Sequence, residues 1–321
     1  MSPPRIVFLD AGTVHYGGIS LIPLKKLGNV KIYRHTPPRL VEKRARGASI
    51  LITNKCRFDR RLLSKLNSLK LICIAATGTN NVDLEAARRE RVAVTYVSGY
   101  STETVVQFTF SFLLALAGNL IQFNLASHRG DWSRSPFFTL PHFSFHEVKG
   151  KTLGIVGFGR IGRRVAQVAE TLGMKILIAQ IPGRRYSRKE KKGRVSFEFL
   201  LRHSDFITLH APLSQLTQNL INAHSFRRMK RGSFLINMAR GSLVDEKVLC
   251  RALQSGHLAG AASDVLSEEP PPTNHPLLKA PNFLLTPHVA WASLEARKRL
   301  VNEIAMNIQA FLKNQSRNRV V

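Results

Sequence analysis

Acidic residues are scarce in this chain. Its 321 residues include 20 aspartates and glutamates against 48 lysines and arginines, a formal charge of +28. An excess of that size raises the question of a nucleic-acid or anionic-surface partner. The basic residues are spread over the whole length, however, with neither zinc-finger spacing nor an aromatic RNA-binding motif among them. They read as a solvated cationic surface with weak, non-specific attraction to polyanions, and no specific nucleic-acid partner is expected. Cysteine is scarce too. Cys56, Cys73 and Cys250 fall in strand or helix contexts without metal-ligand spacing, which argues against a disulfide framework or a metal site and points to reduced thiols in the cytoplasm. Uninterrupted apolar runs are missing as well. Val105–Ile121 comes nearest, but Gln107, Thr109, Ser111 and Asn119 break it. Ser101–Phe123 is therefore expected to be one long buried helix that links domains or packs on a second subunit, not a membrane span. The opening MSPPRIVFLDAG runs straight into a strand and lacks the features of a signal peptide.

What is present is a repeating alternation. Short apolar runs at 5–10, 30–34, 49–53, 70–75 and 92–97 are separated by amphipathic stretches such as Arg39–Arg46, Arg60–Leu66 and Leu84–Arg89. Strands alternating with helices predict a parallel sheet covered on both faces, the α/β doubly wound class. The alternation resumes at 205–210, 233–237, 258–264 and 283–286, with helices expected over Asp245–Ser255 and Leu294–Leu312. A chain of this length accommodates two such domains.

Between the two sets lies Gly150–Gln180, GKTLGIVGFGRIGRRVAQVAETLGMKILIAQ. Leu153–Val156 reads as a buried strand, Ile161, Val165, Val168, Ala169 and Leu172 line one face of a helix, and Lys175–Ala179 reads as a second strand. A lone G-x-G-x-x-G is a weak signal, but within a strand–helix–strand unit it predicts dinucleotide binding. Gly157 permits the tight turn, Gly159 lets the backbone approach a pyrophosphate, and Gly162 lets helix and strand pack closely. The helix N-terminus offers free N–H groups to the phosphates.

In the first half, Thr77-Gly78-Thr79-Asn80-Asn81-Val82-Asp83 follows a strand's carboxyl end, where ligands meet open α/β sheets. On its own it is equally a plain strand-to-helix turn. The run Arg184-Arg185-Tyr186-Ser187-Arg188-Lys189-Glu190-Lys191-Lys192-Gly193-Arg194 is expected to be a solvated loop after the second strand. His128–Phe138, aromatic and turn-rich, is expected to be an arm over a neighbouring surface.

The stretches AATGTNNVDLEAA, GYSTETVVQ, GKTLGIVGFGRIG, HAPLSQLTQNLI, INMARGSLVDE, ASDVLSEEPPP and LTPHVAWAS, in this order, resemble the D-isomer-specific 2-hydroxyacid dehydrogenases over nearly the whole chain. The resemblance is greatest to the glycerate dehydrogenase and hydroxypyruvate reductase branch. It implies two Rossmann-like domains with the active site in the cleft between them. Residues 1–100 with about 290–321 would be the substrate domain, and 101–289 the dinucleotide-binding domain. It also implies a homodimer and a small 2-oxo or 2-hydroxy acid as substrate.

The resemblance places the catalytic arginine on Arg240, the acid on Glu269, with Glu268 one register away, and the histidine on His288. The chemistry needs these residue types. Reducing a 2-oxo acid takes a hydride at C2 and a proton at the carbonyl oxygen, and an imidazolium can give that proton near neutral pH. A carboxylate on the other ring nitrogen orients the ring, and a guanidinium holds the substrate carboxylate through its fork of donors. Thr77 and Gly78 would meet the same carboxylate through backbone N–H groups, with Lys55 adding charge nearby. Along the cofactor the resemblance implies Arg160 and Ile161 at the pyrophosphate, then His210, Ala211, Pro212 and Thr217. Ala239 and Asp264 would lie near the nicotinamide, with Thr104 on the helix facing it.

One position departs from the NAD pattern. Where an aspartate or glutamate usually takes the ribose hydroxyl, this chain has Gln180, followed by Arg184 and Arg185. A neutral amide with arginines nearby removes the repulsion toward a 2′-phosphate. The cofactor expectation is accordingly NADP or NAD, leaning to NADP. Two other functions share the fold. A formate- or phosphite-type dehydrogenase is one, although formate enzymes generally pair the histidine with glutamine, not with an acid. A nucleotide-sensing regulator of corepressor type is the other.

Overall fold

The computed structural model describes residues 3–321. The chain divides into two compact units, one made of the residues up to Ser101 with Trp291–Val321, the other of Thr102–Ala290.

The first unit is built on β1 (Arg5–Phe8), β2 (Asn29–Ile32), β3 (Ile50–Thr53), β4 (Leu71–Ile74) and β5 (Ala93–Thr95). All are parallel, in the order β2-β1-β3-β4-β5. β3 and β4 are buried at every residue because both sheet faces are covered, which explains their unbroken apolar sequences. The strand period of two sends alternate side chains to opposite faces. Ile6, Phe8, Ile50 and Ile52 meet Leu300, Ile304 and Ile308 of the helix Leu294–Leu312. Val7, Leu51, Ile72 and Val94 pack against Val41, Leu63 and Ala86 on the helices Pro38–Ala45, Arg60–Leu63 and Leu84–Arg89. Each large aliphatic side chain so buried contributes about 1.5–3 kcal/mol.

The second unit holds β6 (Thr152–Val156), β7 (Lys175–Ile178), β8 (Phe206–Leu209), β9 (Ser233–Asn237), β10 (Leu258–Ser263) and β11 (Phe283–Leu285). These are also all parallel, ordered β11-β10-β9-β8-β6-β7. Leu153, Ile155, Phe206 and Phe234 face the helices Thr102–Ala117 and Arg160–Thr171. Val156, Ile207, Leu209 and Leu235 face Leu200, Phe226, Leu249 and Leu253 on the other side. The winding reverses between β6 and β8, so a crevice opens at their carboxyl ends.

Two expectations need correcting. Ser101–Phe123 is not one helix. Thr102–Ala117 ends at Gly118-Asn119, Leu120–His128 begins anew, and the two are bent by 63°. Asn119 takes the left-handed conformation that ends helices, φ 48°, and its side-chain amide donates to the Ser144 carbonyl at 2.6 Å. The apolar composition continues past the break through Leu120 and Ile121, which hid it. Among the described residues no single helix is long and apolar enough to cross a membrane. The basic stretch is not wholly loop either. Ser187 and Glu190 form a reciprocal capping box on a short exposed helix, Arg188–Lys191.

Candidate active site

Three turns of the second unit carry the trio. Arg240 follows β9, Glu269 lies in the turn after β10, and His288 follows β11. The Nδ1 of His288 lies 2.6 Å from Oε2 of Glu269, and the other carboxylate oxygen accepts the Leu266 N–H at 3.1 Å. Glu268 and Glu269 are both exposed, and of the two adjacent acids it is Glu269 that meets the imidazole. His288 has a left-handed backbone, φ 52°, a conformation that needs support in a non-glycine residue. Asp264 provides it. Its carbonyl accepts the His288 N–H at 2.8 Å, and its buried carboxylate accepts from Thr286 Oγ1, Val289 N and Ala290 N at 2.6–2.9 Å. Burial raises the Asp264 carboxyl above its ordinary range, while these donors and the nearby His288 pull the other way.

Arg240 is half-buried and donates from Nη1 to the Ala239 carbonyl at 2.7 Å. Asn237 at the end of β9 shapes this turn, accepting from Ala239 N and donating to the Arg240 carbonyl. The next residue, Gly241, packs so closely on the backbone of Leu266 and Ser267 that the Arg240 turn and the Glu269 turn form one block. Thr77, Gly78 and Lys55 belong to the first unit. Thr77 Oγ1 donates to the Val97 carbonyl at 2.9 Å, and the Lys55 N–H is held by Asp10 at 2.7 Å, along with the N–H groups of Asn54 and Cys56.

The glycine-rich turn suits a dinucleotide. A Cβ on Gly157, whose φ is 98°, would lie 2.4 Å from the Ala211 nitrogen, and one on Gly162 would lie 2.1 Å from the Gly157 carbonyl oxygen. Both positions are steric necessities of the fold. Gly159 has nothing within 4 Å of that point. It caps the twelve-residue helix Arg160–Thr171 with no side-chain cap on its first N–H groups, which suits a helix N-terminus that receives a pyrophosphate. Arg160 is exposed and Ile161 half-buried at the helix start.

A match to the family model described as D-isomer specific 2-hydroxyacid dehydrogenase, NAD binding domain, spans residues 110–290. The chain belongs to this family. It is similar to the glycerate dehydrogenase of Methylorubrum extorquens, 39% identical over 88% of each chain. It is also similar to the hydroxypyruvate reductase of Blautia hydrogenotrophica, 34% identical over 98% of each. The crystal structure of the TT0316 protein from Thermus thermophilus superposes with a TM-score of 0.88 at 33% identity, over 99% of this chain and 100% of that one. These relatives make this family member an oxidoreductase with an NAD-binding domain.

The remaining residues expected along the cofactor fall into distinct roles. Ala211 and Ala239 are buried, and Pro212 is exposed beside Ala211. Thr217 closes its own turn, donating to the Pro212 carbonyl at 2.7 Å and accepting from Ser214 N at 2.8 Å. His210 bonds Thr208 Oγ1 through Nε2 at 2.8 Å, whereas its buried Nδ1 has no partner. Burial pushes this imidazole down to about 3. Thr104 is buried in the first turn of Thr102–Ala117.

At the end of β7, Gln180 Nε2 points to the Arg194 carbonyl at 3.4 Å. Arg184 is exposed and paired with Glu190 at 3.3 Å. The Ser187 N–H and hydroxyl, with Arg184 and Arg194, hold that carboxylate below its ordinary range. Arg185 is exposed. Arg194 was not anticipated from the sequence, where it is the last residue of a basic run. Its guanidinium donates to the carbonyls of Ala179 (3.0 Å) and Glu190 (2.7 Å) and lies 5.7 Å from the Phe158 ring and 5.1 Å from that of Tyr186. The detectable signal was the apolar Val195 after it, which pairs beside Ala179 and returns the chain to the sheet. A cavity of about 600 Å³ opens here, with Gln180, Arg184, Tyr186, Leu201, Leu216 and Asn222 in its wall.

Proposed function

We propose that this dehydrogenase reduces a small 2-oxo acid of the hydroxypyruvate or glyoxylate type to the D-2-hydroxy acid, reversibly, with His288 moving the proton. The observation that carries the reading is the 2.6 Å contact between His288 Nδ1 and Glu269. It commits Nδ1–H to the carboxylate and leaves Nε2 to face substrate. Protonated, Nε2 donates to the carbonyl oxygen during reduction; neutral, it accepts the hydroxyl proton in the reverse direction. Arg240 spends one N–H on Ala239, and its remaining donors hold the substrate carboxylate in a planar fork. Thr77 and Gly78, with Lys55, are proposed as substrate-binding residues of the first unit, which would hold a carboxylate through backbone N–H groups and added positive charge. When bound, the nicotinamide supplies the hydride to C2.

For the cofactor we infer that NADP is accepted at least as well as NAD. Gln180 presents no negative charge to the ribose, and Arg194, held by two carbonyls and two rings, is better fixed than Arg184 or Arg185. A cytoplasmic homodimer completes the proposal. Leu114, Leu120, Ile121, Leu125 and Phe138, exposed on or after the bent helix pair, form its candidate contact.

Turnover tests the reading. Nicotinamide absorbance should change on addition of hydroxypyruvate or glyoxylate with either cofactor. Tight cofactor binding without turnover on any small 2-oxo acid would favour a nucleotide-sensing regulator instead. Turnover of formate alone would favour the formate-type reading, which the carboxylate at Glu269 argues against.

A further inference from the structure

Glu246 lies outside the trio, yet it is built into the turn that delivers Glu269. It is the first residue of the helix Glu246–Gln254, behind the Asp245 cap. An acid in the first turn of a helix ordinarily needs no burial, because its interaction with the helix terminus works at the surface. Glu85, in the first turn of Leu84–Arg89, has a side chain 81% exposed. The Glu246 side chain is 13% exposed. Its Oε1 accepts the Ser267 N–H at 2.7 Å, and its Oε2 accepts the Ser267 hydroxyl at 2.6 Å and meets His275 Nε2 at 3.2 Å. Three donors from two further segments thus converge on one largely desolvated carboxylate, leaving only His275 Nδ1 of these groups without a partner, and such a converged set is costly to rearrange.

The turn it grips is short. Ser267 is two residues before Glu269, Leu266 donates to Glu269 directly, and the Leu266–Ser267 backbone is also wedged against Gly241, next to Arg240. Glu246 and the Arg240 turn therefore both hold this turn in place.

We propose that Glu246 is a positioning residue for catalysis: it holds Ser267 so that the Glu269 carboxylate stays on His288 Nδ1. The proposal rests on the proton-transfer reading of His288. Its consequence is a loss confined to the chemical step, because a displacement of about 1 Å at such a pair costs up to roughly 10²-fold, while the dinucleotide turn at Gly157–Gly162 is not touched.

The test is a double-mutant cycle on the full chain, with kcat and both KM values measured for Glu246→Ala, Glu269→Gln and the double variant. Glu246→Ala should lower kcat roughly 10- to 100-fold, leave the cofactor KM within about twofold, and add less than about twofold in the Glu269→Gln background. Ser267→Ala, which removes one hydroxyl and keeps the Ser267 N–H bond to Glu246, should lower kcat several-fold in the same non-additive manner. Losses that multiply independently, a parallel rise in cofactor KM, or wild-type kcat in Glu246→Ala would overturn the proposal. A His288→Gln variant with wild-type turnover would instead overturn the proton-transfer reading itself.

Discussion

A Cβ on Gly241 would lie 2.0 Å from the carbonyl carbon of Leu266 and 2.1 Å from the Ser267 nitrogen. The contact is backbone against backbone, so no side chain can rotate away to relieve it. Since Arg240 precedes the glycine and Glu269 follows three residues after Leu266, the approach sets how the guanidinium and the acid are spaced. Gly241→Ala should therefore cost about 1–3 kcal/mol of stability through overpacking and reduce kcat as well. Denaturant unfolding and steady-state kinetics on the same preparation check this. A fully active, fully stable alanine variant would show that the two turns move independently.

His288→Gln should lower kcat by roughly 10²–10⁴-fold, the range expected for loss of a general acid. The change leaves the Gly157–Gly162 turn itself unaltered, so NADH affinity, read from cofactor fluorescence, should stay within about twofold. Arg240→Lys should be comparably severe in kcat/KM for 2-oxo acids despite the retained charge, because an ammonium cannot reproduce the paired donors. Near wild-type values for a folded lysine variant would reduce Arg240 to a structural role.

The alternation of apolar runs made the sheets legible, because strands covered on both faces have nearly unbroken apolar sequences, as Ile50–Thr53 and Leu71–Ile74 do. The nucleotide turn was legible from its three glycines for a related reason: two of them sit where no side chain fits. Other features were hidden. The break at Asn119 depends on one residue's left-handed backbone inside an apolar context that continues on either side. Glu246 looks like any first-turn acid until Ser267 and His275 are brought to it from 21 and 29 residues away. Arg194 is one cation among many in the sequence, marked there only by the apolar Val195 that follows, and it is the carbonyls of Ala179 and Glu190 and the rings of Phe158 and Tyr186 that set it apart.

His210 makes stability depend on pH in a predictable direction. Burial holds its imidazole at about 3 in the folded chain, whereas in the unfolded chain it titrates near ~6.5. Between those values the unfolded state binds the extra proton, so stability from this residue is complete above ~6.5 and is lost as pH falls. At pH ~5.5 the loss relative to pH ~7 is about 1.3 kcal/mol. Urea unfolding of wild type and His210→Gln at both pH values isolates the effect, because the other titrating groups cancel in the difference. Equal pH dependence in the two proteins would mean that the ring is protonated in the native state.

Cofactor choice turns on one arginine more than on the basic run as a whole. Arg184 is engaged by Glu190 and its side chain is 47% exposed, so its pull on a phosphate is partly neutralised and screened. Arg194 has a fixed plane, braced by Phe158 of the glycine turn and by Tyr186, and it lies beside the end of the strand that Gln180 follows. A 2′-phosphate met by such a guanidinium should gain a charge-assisted hydrogen bond of about 1.5–3 kcal/mol, equivalent to roughly one to two decades of affinity. Wild type should therefore show kcat/KM for NADPH at least equal to that for NADH. Arg194→Ala should lower the NADPH value by roughly 10- to 100-fold, while the NADH value reports whether the loop has kept its shape. Replacing Arg184 and Arg185 with alanine should have a smaller effect, and adding Gln180→Glu should swing preference to NADH by restoring a carboxylate that repels the phosphate. If wild type strongly prefers NADH and Arg194→Ala changes both cofactors alike, the arginine is a brace for the 181–195 segment and the ribose hydroxyls alone decide the cofactor.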